Sequence, residues 1–174
     1  MTWNQVGINI EGEAAGDKSG SSISISNDGK TIAIGAYGND GNGIDSGHVR
    51  VFKNINNNWT QLGSDIDGQS AGDLSGWPVN ISADGSVVAI GYTYQINEDG
   101  VNSGHVRVFK NIDNQWIQIG SNINGESPGD LCGTSIALSS DGSIIAIGSP
   151  YNDANGEDSG HVRVFKNIDN QWIQ

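Results

Sequence analysis

Oxygen-bearing side chains set two or three residues apart around a glycine can wrap a hard divalent cation, and the chain offers such a set in each of three loops. They are Asp40, Asn42 and Asp45, then Asn97, Asp99 and Asn102, then Asp153, Asn155 and Asp158. Calcium is the cation expected there, and the middle loop, with an inserted residue and one carboxylate fewer, is the weakest of the three. Asn, Asp and Gly also build turns unaided, so the same residues have a purely structural reading.

A second constellation is His48, His105 and His161 with Arg50, Arg107 and Arg163, each placed identically in its surroundings. A catalytic centre needs different groups converging on one point, whereas equivalence at every position argues for architecture. An arginine can fix the spacing of neighbouring units through bidentate bonds, and Asp17, Asp73 and Asp130 are the partners expected. No nucleophile elbow, phosphate-binding loop or zinc-ligand spacing stands out, so no catalytic residue is assigned.

The third candidate is a break in the pattern. Trp77-Pro78 stands where the other copies have Ser21-Ser22 and Thr134-Ser135, and Tyr92 and Tyr94 follow in the same unit. These aromatics could stack on a sugar or anchor a protein partner; the alternative is that Trp77 packs as ordinary core.

The element that positions all of these is a tandem repeat. Ser103 to Gln118 returns letter for letter as Ser159 to Gln174, with a near-copy at Ser46 to Gln61. Trp3, Trp59, Trp116 and Trp172 mark steps of 56, 57 and 56 residues. One repeat domain therefore spans residues 1–174, with repeats at 3–58, 59–115 and 116–171 and the start of a further one at 172–174.

Apolar residues alternate with period two between glycine-rich turns and show no helical spacing, so the chain reads as all-β. Each repeat holds four short strands. The first carries Ile23 and Ile25 or their equivalents and ends at Asp28-Gly29, Asp84-Gly85 or Asp141-Gly142, a strong hairpin signal. The second reads TIAIG, VVAIG or IIAIG, the third HVRVF, and the fourth opens at the tryptophan. Four antiparallel strands per repeat describe a β-propeller blade, and three blades are fewer than a closed ring holds.

The chain begins with a fourth-type strand, Trp3 to Ile10, and stops three residues into another. Two chains placed head to tail would make six blades, each N-terminal strand completing the third blade of the other copy. A piece cut from a longer array would look the same.

The motifs in order are Gly20, Gly76 and Gly133, the Asp-Gly turn, then Gly35-Ala36-Tyr37, Gly91-Tyr92-Thr93 and Gly148-Ser149-Pro150, and last Gly47 to Phe52 and its copies. The pattern resembles the FG-GAP repeat, the blade unit of the integrin α-chain propeller and of many bacterial surface and secreted proteins. The resemblance covers the whole chain three times and implies a propeller that serves as an extracellular or cell-surface interaction module. It departs from the family at the Phe of the FG pair, which is Ser19, Ser75 or Cys132. The family's calcium loop around the Asp-Gly turn is also stripped to one acid: Ser24 and Ser26 precede Asp28, and Ile32 takes the last carboxylate's place. That turn reads as a plain hairpin.

Composition agrees. The 26 glycines among 174 residues are about twice the usual share, as many tight turns require. A net charge of −12 repels nucleic acid and anionic lipid, so neither is an expected partner. No apolar run is long enough for a membrane helix, and any export signal would lie outside this chain. Cys132 is alone and aligns with Ser19 and Ser75, which makes it a small buried filler rather than a nucleophile. The function expected is a non-enzymatic interaction or scaffold module that self-associates, with a carbohydrate-binding propeller as the alternative.

Overall fold

A computed structural model describes residues 2–92 and 103–174. Blade one contains β1 (Ser22–Ile25), β2 (Thr31–Ala36), β3 (His48–Ile55), β4 (Asn58–Gln61) and β5 (Ile66–Asp67). Blade two repeats this order as β6 (Val79–Ile81), β7 (Val87–Tyr92), β8 (His105–Ile112), β9 (Gln115–Gln118) and β10 (Ile123–Asn124). Blade three contains β11 (Ser135–Leu138), β12 (Ile144–Ser149), β13 (His161–Ile168) and β14 (Gln171–Ile173). All pairings within the three sheets are antiparallel, and no helix occurs among the described residues. Among the described residues no helix is long and apolar enough to cross a membrane.

Local chemistry sets the turns. Asn56-Asn57, Asp113-Asn114 and Asp169-Asn170 all have positive φ, between 50° and 65°, so each β3–β4-type hairpin closes with the two left-handed residues that its twist demands. At the Asp-Gly turns the carboxylate is consumed locally. Asp28 Oδ1 accepts from Ser26 Oγ at 2.7 Å and Lys30 N at 2.9 Å, and the other two turns repeat the bonds, as expected of plain hairpins.

The fourth strand is not continuous. In blade one β4 pairs with β3 from Phe52 to Ile55, and β5 returns to pair with His48 and Val49. Residues 62–65 lie between them. Blade two does the same with β9 and β10 on β8.

The core lies between blades rather than inside one. Val49 and Val51 of blade one meet Val79, Ile81, Val88 and Ile90 of blade two. Val106 and Val108 of blade two meet Ile145 and Ile147 of blade three, with Cys132 fully buried beside them as a filler. Side chains also bridge the inner strands: Ser22 and Ser24 accept from Val79 N and Ile81 N, and Asn80 accepts from Leu138 N.

The N-terminal segment corrects one expectation, since residues 2–10 form no strand. A strand exists only by pairing. The segment lies where the outer strand of a preceding blade would lie, and no third-type strand stands beside it. Trp59 Nε1 donates to Val6 O at 2.9 Å, as Trp116 does to Leu62 O and Trp172 to Ile119 O. Trp3 and Ile8 remain 94% and 77% exposed.

Candidate functional site

The loop carboxylates that were candidates for calcium serve mainly as turn builders. Asp40 Oδ1 accepts from Asp45 N at 2.8 Å, and Asp153 Oδ1 from Asp158 N at the same distance. Asp45 and Asp158 both sit in the left-handed region at φ 53°. Asn42 turns away from its own loop and donates to Gly68 O and Gln69 O of the next blade, while Asn155 donates its main-chain N–H to Ser159 Oγ. Asn97, Asp99, Asn102 and Tyr94 lie outside the described residues.

The arginines do join one blade to the next, but through main-chain carbonyls. Arg50 donates to Glu11 O at 2.6 Å, Arg107 to Asp67 O at 3.1 Å and Arg163 to Asn124 O at 2.5 Å. These three acceptors are equivalent by the repeat. Asp17, Asp73 and Asp130 are occupied elsewhere, each accepting main-chain N–H groups of its own loop: Ala14, then Gln69 and Ser70, then Glu126 and Ser127. Asp17 and Asp130 also hold Asn39 and Asn152. The tight loop satisfies its own N–H groups with the nearest carboxylate, which is why the expected Arg–Asp pairs do not form.

The aromatics divide. Tyr92 is fully buried and stacked on His105, so it offers no face to a ligand. Trp77 is 46% exposed and packs edge-to-face on Tyr37, with centroids 5.4 Å apart. Lys18 Nζ covers the Tyr37 ring at 4.7 Å.

The structure brings together a different group. His48 is buried at the start of β3, and its Nδ1 faces Asp65 Oδ2 at 3.6 Å and Glu13 Oε2 at 3.9 Å. Among the described residues this is the cluster of His and carboxylate ligand atoms that all lie within 4.8 Å of one another. Each carboxylate is held by its other oxygen: Arg50 Nη1 stands 3.5 Å from Glu13 Oε1, and Gln61 Nε2 donates to Asp65 Oδ1 at 2.5 Å. The nearby Asp67 carboxyl is raised above its usual range, first by burial and then by the charge of Asp65.

The other blades treat these positions differently. In blade two the equivalents are Gln69, His105 and Asn122; Asn122 donates to Gln69 Oε1 at 3.2 Å, and the buried His105 is pushed down to about 4 by burial and by Arg107. In blade three Glu126 lies 3.8 Å from both His161 and Arg163. Sequence reasoning saw the repeated histidines but missed this cluster. The signal was available, because acids stand at positions 13 and 65 where blade two has amides at 69 and 122.

Residues 10–52 match the FG-GAP repeat family, a span that contains Gly20, the Asp28-Gly29 turn and Gly47 to Phe52. No curated protein matches the chain. Among solved structures, the chain is similar to the complex of KlAtg21 with the coiled-coil of AgAtg16, at TM-score 0.55 and 16% identity over 86% of this chain and 40% of that one. It is similar to Saccharomyces cerevisiae Sqt1 at TM-score 0.55 and 13% identity, over 91% of this chain and 35% of that one. Kuenenia stuttgartiensis hydrazine synthase gives TM-score 0.52 and 18% identity, over 84% and 38%. At these identities the likeness is one of fold, a β-propeller, and the chain spans less than half the length of each.

Proposed function

We propose, from a chain that carries an FG-GAP repeat and folds as propeller blades, that this protein is a non-enzymatic interaction and scaffold module which associates head to tail with a second copy of itself. An extracellular or cell-surface location goes with this reading, as for other FG-GAP modules.

The observation that carries it is a third inter-blade core, present as two separated halves. Val162 and Val164 of β13 are 66% and 53% exposed, whereas Val49, Val51, Val106 and Val108 at the equivalent positions are at most 1% exposed. On the opposite end Ile23 and Ile25 are 64% and 55% exposed, against 5% and 6% for Val79 and Ile81. The main chain is complementary too. Val51 O accepts from Leu62 N and Val108 O from Ile119 N, so the repeat matches Val164 O to the N–H of Val6 in another copy. Two copies related in this way would bury both halves twice and make six blades, closing the ring that three leave open. Each fully covered Val or Ile contributes roughly 1.5–3 kcal/mol, ample for a stable pair.

Light scattering over a range of protein concentrations tests this. The expected species has twice the 18.2 kDa chain mass, and Val164→Glu should reduce it to one chain with its β-sheet circular dichroism intact. A single-chain mass throughout would sink the association, and a rising series of masses would mean an open filament instead of a ring.

A narrower alternative, carbohydrate binding, rests on the half-exposed Trp77 beside Tyr37. A glycan panel with wild type and Trp77→Ala decides it: binding lost on truncation supports a sugar platform, and a silent wild type removes it.

A further inference from the structure

We infer that Glu13, His48 and Asp65 form a binding site for a first-row divalent metal ion, with zinc the cation that the donor set suits. One imidazole nitrogen and two carboxylate oxygens are ordinary zinc ligands and leave a fourth position to water. The site is built within blade one and its N-terminal loop, so it stands apart from any association between copies.

Four observations converge on it. First, His48 is a buried imidazole whose Nδ1 points between two carboxylates, at 3.6 and 3.9 Å, too far for a hydrogen bond to either. Second, each carboxylate is oriented by a neighbour on one oxygen, Arg50 for Glu13 and Gln61 for Asp65, and it is the other oxygen that faces His48. This is how outer groups aim metal ligands. Third, the donors stand within 4.8 Å of one another, and around a zinc ion they would sit ~3.4 Å apart, a closure of up to about 1.4 Å. The half-exposed Glu13 side chain supplies that movement.

Fourth, blade two provides an internal contrast. There Gln69 and Asn122 satisfy each other through a hydrogen bond, and Tyr92 covers His105 from the paired strand. In blade one the residue paired with His48 is the small Ala36, and the amides are replaced by acids. Two neutral amides need no third party, whereas Glu13 and Asp65 bring two negative charges to one imidazole and Arg50 compensates only that of Glu13.

The test uses the untagged full chain, stripped with EDTA and titrated with zinc sulfate or calcium chloride, reading heat by calorimetry and the melting temperature. One zinc per chain with micromolar affinity is expected, with a rise in melting temperature as binding to the folded state requires. Glu13→Gln combined with Asp65→Asn writes blade two's own residue types into blade one, so the variant should fold; its zinc affinity should fall at least about tenfold. His161→Gln should leave binding unchanged. Equal zinc affinity in wild type and the double variant would overturn the site, as would a wild type whose heat and melting temperature ignore zinc. A calcium response of the same size would overturn the assignment to zinc.

Discussion

Tyr92 lies flat on His105, with ring centroids 4.4 Å apart and planes inclined by 10°, while its hydroxyl accepts from Arg107 Nη1 at 2.7 Å. The pair sits across β7 and β8 in direct register. Burial and the Arg107 charge together push His105 down to about 4, so the folded state keeps its imidazole neutral. The unfolded chain binds that proton near pH 6.5. Stability is therefore full above about pH 6.5 and falls as pH drops towards 4, by roughly 3 kcal/mol in all. Urea unfolding at pH 7, 5.5 and 4.5 should show this slope, and His105→Gln should flatten it. An equally steep slope in the variant would show that other groups cause it.

Trp116 Nε1 donates to Leu62 O at 2.7 Å and ties blade two to the outer edge of blade one, at the link between β4 and β5. Trp116→Phe keeps an aromatic side chain but removes the N–H donor together with the pyrrole part of a ring packed on the core, so it should cost about 1–2 kcal/mol in urea unfolding. Trp59→Phe, whose partner Val6 lies in an unpaired segment, should cost less. Equal costs would mean that the N-terminal segment is held as firmly as a strand.

Gly35 in β2 is a close-approach glycine: a Cβ there would meet Gly76 O, main chain of the following blade's loop. Gly35→Ala should prevent correct seating of blade two and lower the yield of folded protein sharply. Gly72 has a φ of +79° but open space around it, so Gly72→Ala should cost only about 1 kcal/mol. Comparable melting temperatures for the two variants would contradict the packing seen at Gly35.

The exposed Asp141 carboxyl is lowered to about 2 by bonds from Ser139 and Ser143. A lowered carboxyl stabilises above its unfolded value and loses that contribution as pH falls from about 4 to 2. Carboxyl NMR titration should give a midpoint near 2 for Asp141, moving upward in Ser139→Ala. A wild-type midpoint near 4 would mean that the turn does not hold in solution.

Much of the architecture is legible in the letters because strand and turn signals are local. Alternation located β1, β2 and β3 with their copies, and the Asp-Gly pairs located the first hairpin of each blade, whereas the turns at Asn56-Asn57, Asp113-Asn114 and Asp169-Asn170 went unread. The break in the fourth strand between Gln61 and Ile66 was not read, although Gly63, at φ 77°, and Ser64 stand there, because a single Gly-Ser pair does not show whether the chain leaves the sheet or merely bends within it. The site was harder still. Arg50 could be placed at a blade boundary from its repetition, but its bond to Glu11 O could not, because a carbonyl leaves no mark on residue identity.

The repeat, its all-β character and the blade as its unit follow from periodicity and turn chemistry within some 56 residues, which is why they can be read from the letters alone. Which faces are covered and which charges meet is fixed by the packing of one blade on the next. Val51 and Val164 are the same residue in the same motif, yet one is 1% and the other 53% exposed. Glu13, His48 and Asp65 are far apart in the chain and become neighbours because β5 and the loop before β1 both fold onto the start of β3. Burial and electrostatics depend on which chain segments share space, and that is a property of the assembled blades rather than of any one stretch of residues.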